Sequence, residues 1–147
     1  MAKVRERADV AVLGEIARID LRLRGSIERL LPDGLSASQF AVLGHLAAAG
    51  EDRSPGALAK AFGLTKGAIT NTLRRLQVRG LIAIATDEED ARRRWVRLTP
   101  AGSDANRACL AAARPAREAL RQALPTEAFE AALPFLKRLR TFLEERG

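Results

Sequence analysis

From Ser54 to Gly80 the signals that start and stop helices fall so close together that only two short helices fit between them. Ser54-Pro55 is an N-cap followed by proline at the first helical position, where the missing N–H costs nothing. Leu58 and Phe62 carry helical apolar spacing, and Gly63 can take the positive φ that ends a helix. After Leu64, Thr65 can cap a second helix running to about Arg79, which Gly80 stops. Two helices joined by Gly63-Leu64-Thr65 make a helix-turn-helix order.

The flanks extend this reading. Leu13, Ile16, Leu23, Ile27, Leu30 and Leu31 recur close to a helical period, and Pro32-Asp33-Gly34 ends that run. A second helix opens at Ser36, with Gln39 at capping-box spacing, and continues through Phe40, Leu43 and Leu46 to Gly50. Beyond Gly80, Leu81-Ile82-Ala83-Ile84-Ala85-Thr86 is apolar and partly β-branched but too short for a full helix. The acidic run Asp87-Glu88-Glu89-Asp90 and the basic run Arg92-Arg93-Arg94 precede Trp95-Val96-Arg97-Leu98. This pattern predicts two antiparallel strands joined by a charged tip. Thr99-Pro100 repeats the cap-plus-proline signature, and two helices are expected at about 100–122 and 126–145, kinked or locally broken at Pro115 and Pro134. The expected fold is mainly α with a small two- or three-stranded β-wing, one compact domain of 147 residues.

A net charge of +7 points to a polyanionic partner, whether nucleic acid, an anionic membrane surface or an acidic protein. No run reaches the roughly 18 apolar residues of a membrane span. The segment Met1–Asp9 carries early acidic residues and lacks the apolar stretch of a secretory signal. A lone cysteine, Cys109, excludes an intrachain disulfide and fits a reducing compartment, so a cytoplasmic location is expected.

A wheel projection of the second short helix places Ile69, Leu73 and Leu76 in one narrow arc, which should be buried. Opposite lie Gly67, Asn71, Arg74 and Val78, flanked by Ala68 and Arg75 on one side and Thr70 on the other. Small residues near the start permit close approach to a duplex, and donors follow. Arginine can pair bidentately with guanine and asparagine with adenine. Thr70, Asn71, Arg74 and Arg75 are therefore candidates for base or phosphate contact. Thr65 and Lys66 are candidates for backbone contact, helped by the first-turn amides and the helix dipole. In the wing, Arg92, Arg93 and Arg94 can reach a flanking minor groove, with Asp90 orienting Arg92. One or two of these arginines are expected on DNA and the rest in solvent. An ordinary solvated helix face would carry the same residue types; the winged context raises the DNA reading above it.

Gly56-Ala57-Leu58-Ala59 through Gly63-Leu64-Thr65, then Ile69-Thr70-Asn71-Thr72-Leu73, Leu76 and Arg79-Gly80-Leu81-Ile82, resemble the DNA-binding region of MarR-type transcriptional regulators. Asp87-Glu88-Glu89-Asp90-Ala91-Arg92 and Val96-Arg97-Leu98-Thr99-Pro100-Ala101-Gly102 are similar to that family's wing without a gap. The family commonly has proline after the first wing aspartate. Glu88 stands there instead, which should loosen the turn. The motif-level match covers about residues 54–102. The resemblance implies a homodimer with an N-terminal dimerisation helix (1–35), a winged helix-turn-helix lobe (36–99) and C-terminal dimerisation helices (100–147). It also implies double-stranded DNA as partner, a pseudo-palindromic operator, repression as the usual outcome, and Arg92 as the wing residue entering the minor groove. A small aromatic or phenolic effector between the dimer helices and the lobes is a further implication. The flanking helices agree with dimerisation, because they hold more Leu, Ala and Phe than one subunit can readily bury.

Other chemistries find little support. One His and one Cys do not make a zinc site. No phosphate loop is present and no nucleophile set can be assembled around His45, so no enzyme, cofactor or metal is expected. His45 should be a packed or half-exposed residue and Cys109 a small apolar one. Trp95 should pack against the domain rather than stack on a base. A winged protein-interaction module, or an architectural DNA-binder of low sequence preference, remains the alternative.

Overall fold

The computed structural model describes residues 7–146, so the expectations for Met1–Glu6 and for Gly147 lie outside the described residues. Helix α1 (Ala8–Leu30) leads through a 3₁₀ turn (Pro32–Gly34) to α2 (Ala37–Ala49). The helix-turn-helix follows as α3 (Pro55–Phe62) and α4 (Lys66–Val78). A hairpin of β1 (Ile82–Thr86) and β2 (Arg94–Leu98) forms the wing. Three helices complete the described chain: α5 (Pro100–Ala112), α6 (Arg114–Ala123) and α7 (Thr126–Arg146).

The caps act where the local sequence places them. Ser36 Oγ accepts from the Gln39 amide at 3.1 Å while Gln39 Oε1 accepts from the Ser36 amide at 2.9 Å, a complete capping box. Ser54 Oγ accepts from the Ala57 amide at 3.1 Å and Thr65 Oγ1 from the Ala68 amide at 3.2 Å. Gly63 closes α3 at φ 60°, so the turn between the two short helices rests on a residue without a Cβ.

The wing strands pair antiparallel in the register Ile82↔Leu98 to Thr86↔Arg94. Arg53 adds a one-residue bridge to Val96, with bonds of 3.0 and 2.7 Å. The sheet is thus two-stranded, with a stub of a third strand from the α2–α3 connection.

The helix expected over 100–122 is locally broken, but the break falls at Ala113 rather than at Pro115, which lies in the first turn of α6, where proline is tolerated. Pro134 behaves differently. It sits inside α7, which runs on past it, on an exposed stretch where water can satisfy the carbonyl that loses its donor.

The core is made by α2, α3, α4, the wing and α5. Leu43, Leu58, Leu76, Val96 and Cys109 are fully buried and Val42 and Ile69 nearly so. Helices α1, α6 and α7 bury no residue at all, although Leu21, Leu23, Leu133, Phe142 and Leu143 lie on them. No helix among the described residues is long and apolar enough to cross a membrane.

Candidate nucleic-acid interface

Helix α4 sits with its aliphatic arc inward: Ile69, Leu73 and Leu76 are buried. Lys66, Gly67, Ala68, Thr70, Asn71, Arg74 and Arg75 are all exposed, together with the capping Thr65. Apart from its chain neighbours and its own helix backbone, no atom of the described residues lies within 4 Å of where a Gly67 Cβ would be, so the fold itself does not require glycine there. A bare backbone at this point instead lets an outside surface come close.

Hydrogen bonds refine what these side chains can offer. Arg74 donates to Asn71 Oδ1 at 3.0 Å, which leaves the Asn71 amide N–H groups and most of the guanidinium facing outward. Thr65 Oγ1 accepts its cap bond, which leaves its own proton free to donate outward. Thr70 does not: its hydroxyl donates to the Lys66 carbonyl at 2.7 Å, so a phosphate contact from Thr70 costs that bond.

At the wing, the Arg92 side chain is 96% exposed and its Nε lies 3.7 Å from Asp90 Oδ1. Asp90 Oδ1 also accepts from the Arg92 amide at 3.0 Å. A pair this exposed contributes little stability but biases where the arginine points. Arg93 and Arg94 are exposed beside it. A cleft of about 960 Å³ separates wing from helices and brings Lys66 and Thr70 of α4 together with Arg92, Arg93 and Arg94. Ser54 and Trp95 also line it. The lining brings four basic side chains from α4 and the wing to one concave surface. Asn71, Arg74 and Arg75 stand further along α4, outside the cleft.

Several participants escaped the sequence reading. Arg97 grips Asp52 with bonds of 2.7, 3.0 and 3.2 Å, tying the wing to the α2–α3 connection and holding the Asp52 carboxyl below its ordinary range. Asp87 bonds the Trp95 indole at 2.8 Å, and Trp95 is half-buried. At the wing tip, where Glu88 stands in place of proline, Asp87 Oδ1 accepts from the Glu89 amide at 2.8 Å and the Asp90 amide at 3.2 Å. An acidic run of four residues signalled a charged tip but not which carboxylate closes it.

The remaining chemical side chains have ordinary settings. His45 meets Phe62 edge to face at 5.4 Å. Cys109 is fully buried, and that burial pushes its thiol pKa up, away from thiolate reactivity. Among the described residues no group of three His, Cys, Asp or Glu side chains is placed to hold a metal ion.

The family model of the MarR family matches residues 33–93, from the 3₁₀ turn to the wing tip. Among solved structures, the chain is similar to a probable transcriptional regulator from Pseudomonas aeruginosa. The two share 30% identity over 86% of this chain and 95% of that one, with a TM-score of 0.72. BpsR of Bordetella bronchiseptica, whose DNA binding is regulated by 6-hydroxynicotinic acid, is 26% identical over 86% and 91% of the two chains, with a TM-score of 0.70. MepR of S. aureus, solved in complex with DNA, is 24% identical over 87% and 94%, with a TM-score of 0.74. No curated protein sequence matches the chain. With its winged helix-turn-helix and these relatives, the chain belongs to the MarR family of transcriptional regulators.

Proposed function

We propose that this regulator is a cytoplasmic homodimer that reads a pseudo-palindromic site in duplex DNA, with α4 in the major groove and the wing at the flanking minor groove. The observation that carries the reading is the outward face of α4. Three buried aliphatic residues hold it from behind, and Asn71, Arg74 and Arg75 stand free of the fold in front. Thr65 and Lys66 then meet the backbone, Gly67 and Ala68 permit the approach, and Arg92 enters the minor groove with Arg93 and Arg94 beside it. Residues 36–99 act as the reading lobe and the helical segments on either side, 1–35 and 100–147, as the dimerisation region.

Dimerisation is supported by apolar surface that one subunit leaves open. Phe129, Leu136 and Leu143, spaced by seven residues on α7, are each more than 40% exposed. Such a stripe pairs readily with a second helical surface. Two-fold symmetry would set the recognition helices about 34–36 Å apart, one turn of DNA. Leu136→Asp combined with Leu143→Asp should give a folded monomer in sedimentation and abolish binding to the two-fold site. A dimer that survives both changes would move the interface elsewhere.

Repression by occlusion of the promoter is the proposed outcome, and a small aromatic or phenolic ligand is the proposed control. The regulation of BpsR by 6-hydroxynicotinic acid supports the second point by analogy. Such a ligand must bind the DNA-incompetent arrangement more tightly, because only differential affinity couples two sites. Selection from random duplexes tests the central claim. Enrichment of a two-fold sequence is expected, and the enriched complex should dissociate when titrated with an aromatic acid of the right shape. Failure to enrich any sequence would favour an architectural or protein-binding module instead.

A further inference from the structure

The wing tip is closed by one side chain. Strand β1 ends at Thr86 and β2 begins at Arg94, and the seven residues between them form the tip. The Asp87 amide donates to the Arg93 carbonyl at 2.9 Å, and the Arg93 amide donates to the Asp90 carbonyl at 2.9 Å. The Asp87 carboxylate adds three acceptor bonds from three different residues. Oδ1 takes the Glu89 and Asp90 amides on the outgoing limb, while Oδ2 takes the Trp95 indole N–H on the returning limb. Among the described residues no other side-chain hydrogen bond ties the outgoing limb to β2, since the Asp90–Arg92 contact spans only two positions at the tip itself.

We propose that Asp87 and Trp95 are positioning residues for DNA recognition: their hydrogen bond fixes the angle of the returning limb and so presents Arg92, Arg93 and Arg94 to the minor groove. The proposal rests on the reading that the wing meets DNA. Three features support it. Trp95 lies next to the arginine run, and its side chain lines the same cleft as Lys66 and the three arginines. Glu88 leaves the turn without the stiffness of proline, so the carboxylate is the restraint that remains. The bond is also charge-assisted, since the indole hydrogen bond, followed by the two amides, holds the Asp87 pKa below its ordinary value.

The electrostatics make the test discriminating. Asp87 is a negative charge on a surface that faces a polyanion, so neutralising it should strengthen DNA binding if charge alone mattered. A positioning role predicts the opposite sign. Asp87→Asn keeps the side-chain shape and removes the charge; Trp95→Phe keeps the charge and removes the donor. Each variant should reduce the preference for A·T-rich over G·C-rich flanks by about fivefold, the equivalent of one ordinary hydrogen bond. The double variant should lose no more than the larger single loss, because one shared bond is removed in each case. Arg92→Ala should reduce the same preference at least as much.

A spectroscopic readout separates positioning from general loosening. Trp95 is the only tryptophan, so the protein has a single indole N–H resonance. In Asp87→Asn that resonance should shift and exchange faster with water, while the thermal midpoint of the lobe stays close to wild type. If Arg92→Ala leaves flank preference unchanged, the wing reading falls and this proposal with it. If Arg92→Ala acts but Asp87→Asn and Trp95→Phe do not, or if Asp87→Asn binds more tightly on every sequence, the positioning role alone is overturned.

Discussion

Gly102→Ala is expected to destabilise the winged lobe by about 3 kcal/mol, at the upper end of overpacking costs. The usual effect of this exchange inside a helix is a gain of about 0.5–1 kcal/mol, from lower chain entropy and better propensity. The reversal comes from contact. A Cβ on Gly102 would lie 1.9 Å from the Leu81 carbonyl oxygen, 2.9 Å from its carbonyl carbon and 2.8 Å from Leu98 Cδ1. Leu98 can rotate, but the Leu81 backbone cannot withdraw freely, because its oxygen also accepts the Thr99 amide at 3.2 Å. Thr99 in turn donates its hydroxyl to the Gly80 carbonyl at 2.7 Å, just past the end of α4. Moving α5 outward therefore disturbs the junction between α4 and the wing. A fall in thermal midpoint of about 10 °C at fixed protein concentration should accompany the loss. DNA affinity should fall with it near that temperature. An unchanged or raised midpoint would show that α5 can shift away from Leu81 at no cost.

Arg74→Ala should cost about 1–3 kcal/mol of binding free energy on the selected site and relax specificity at one position in each half-site. The reason is stereochemical. Arg74 is exposed on α4 and its one hydrogen-bond partner among the described residues is Asn71 Oδ1, so most of its guanidinium donors remain for a base edge. The Asn71–Arg74 bond also holds both side chains in one arrangement before DNA arrives, which lowers the entropy lost on binding. Arg74→Ala should therefore release Asn71 as well. Asn71→Ala and the double variant should show coupling rather than simple addition. Binding constants measured across single-base variants of the site provide the check. A uniform loss on all sequences would reassign Arg74 to the phosphate backbone, and no loss at all would remove α4 as the reader.

The helix-turn-helix was legible because its determinants are local. Ser54, Thr65 and Thr99 each cap a helix through an amide three residues on. The inward arc of Ile69, Leu73 and Leu76 follows from helical period alone, and it leaves Asn71, Arg74 and Arg75 outside. Proline was read only in part. Pro115 and Pro134 look alike as interruptions of an apolar stripe, yet one opens α6 and the other sits within α7. Ala113, which divides α5 from α6, carries no capping side chain that would mark a boundary.

Residue types and their spacing by themselves determined the winged helix-turn-helix, its buried and exposed faces, and the basic groups around it. Each of those depends on residues within about one helical turn or on strand alternation. Tertiary structure alone decided that Asp87 joins Trp95, that Asp52 holds Arg97, that Arg79 reaches the Asp33 carbonyl 46 positions away, and that Gly102 has no space for a methyl group. Such partnerships depend on where separate elements come to rest once Leu43, Leu58, Leu76 and Val96 have packed, and that placement is a property of the whole core.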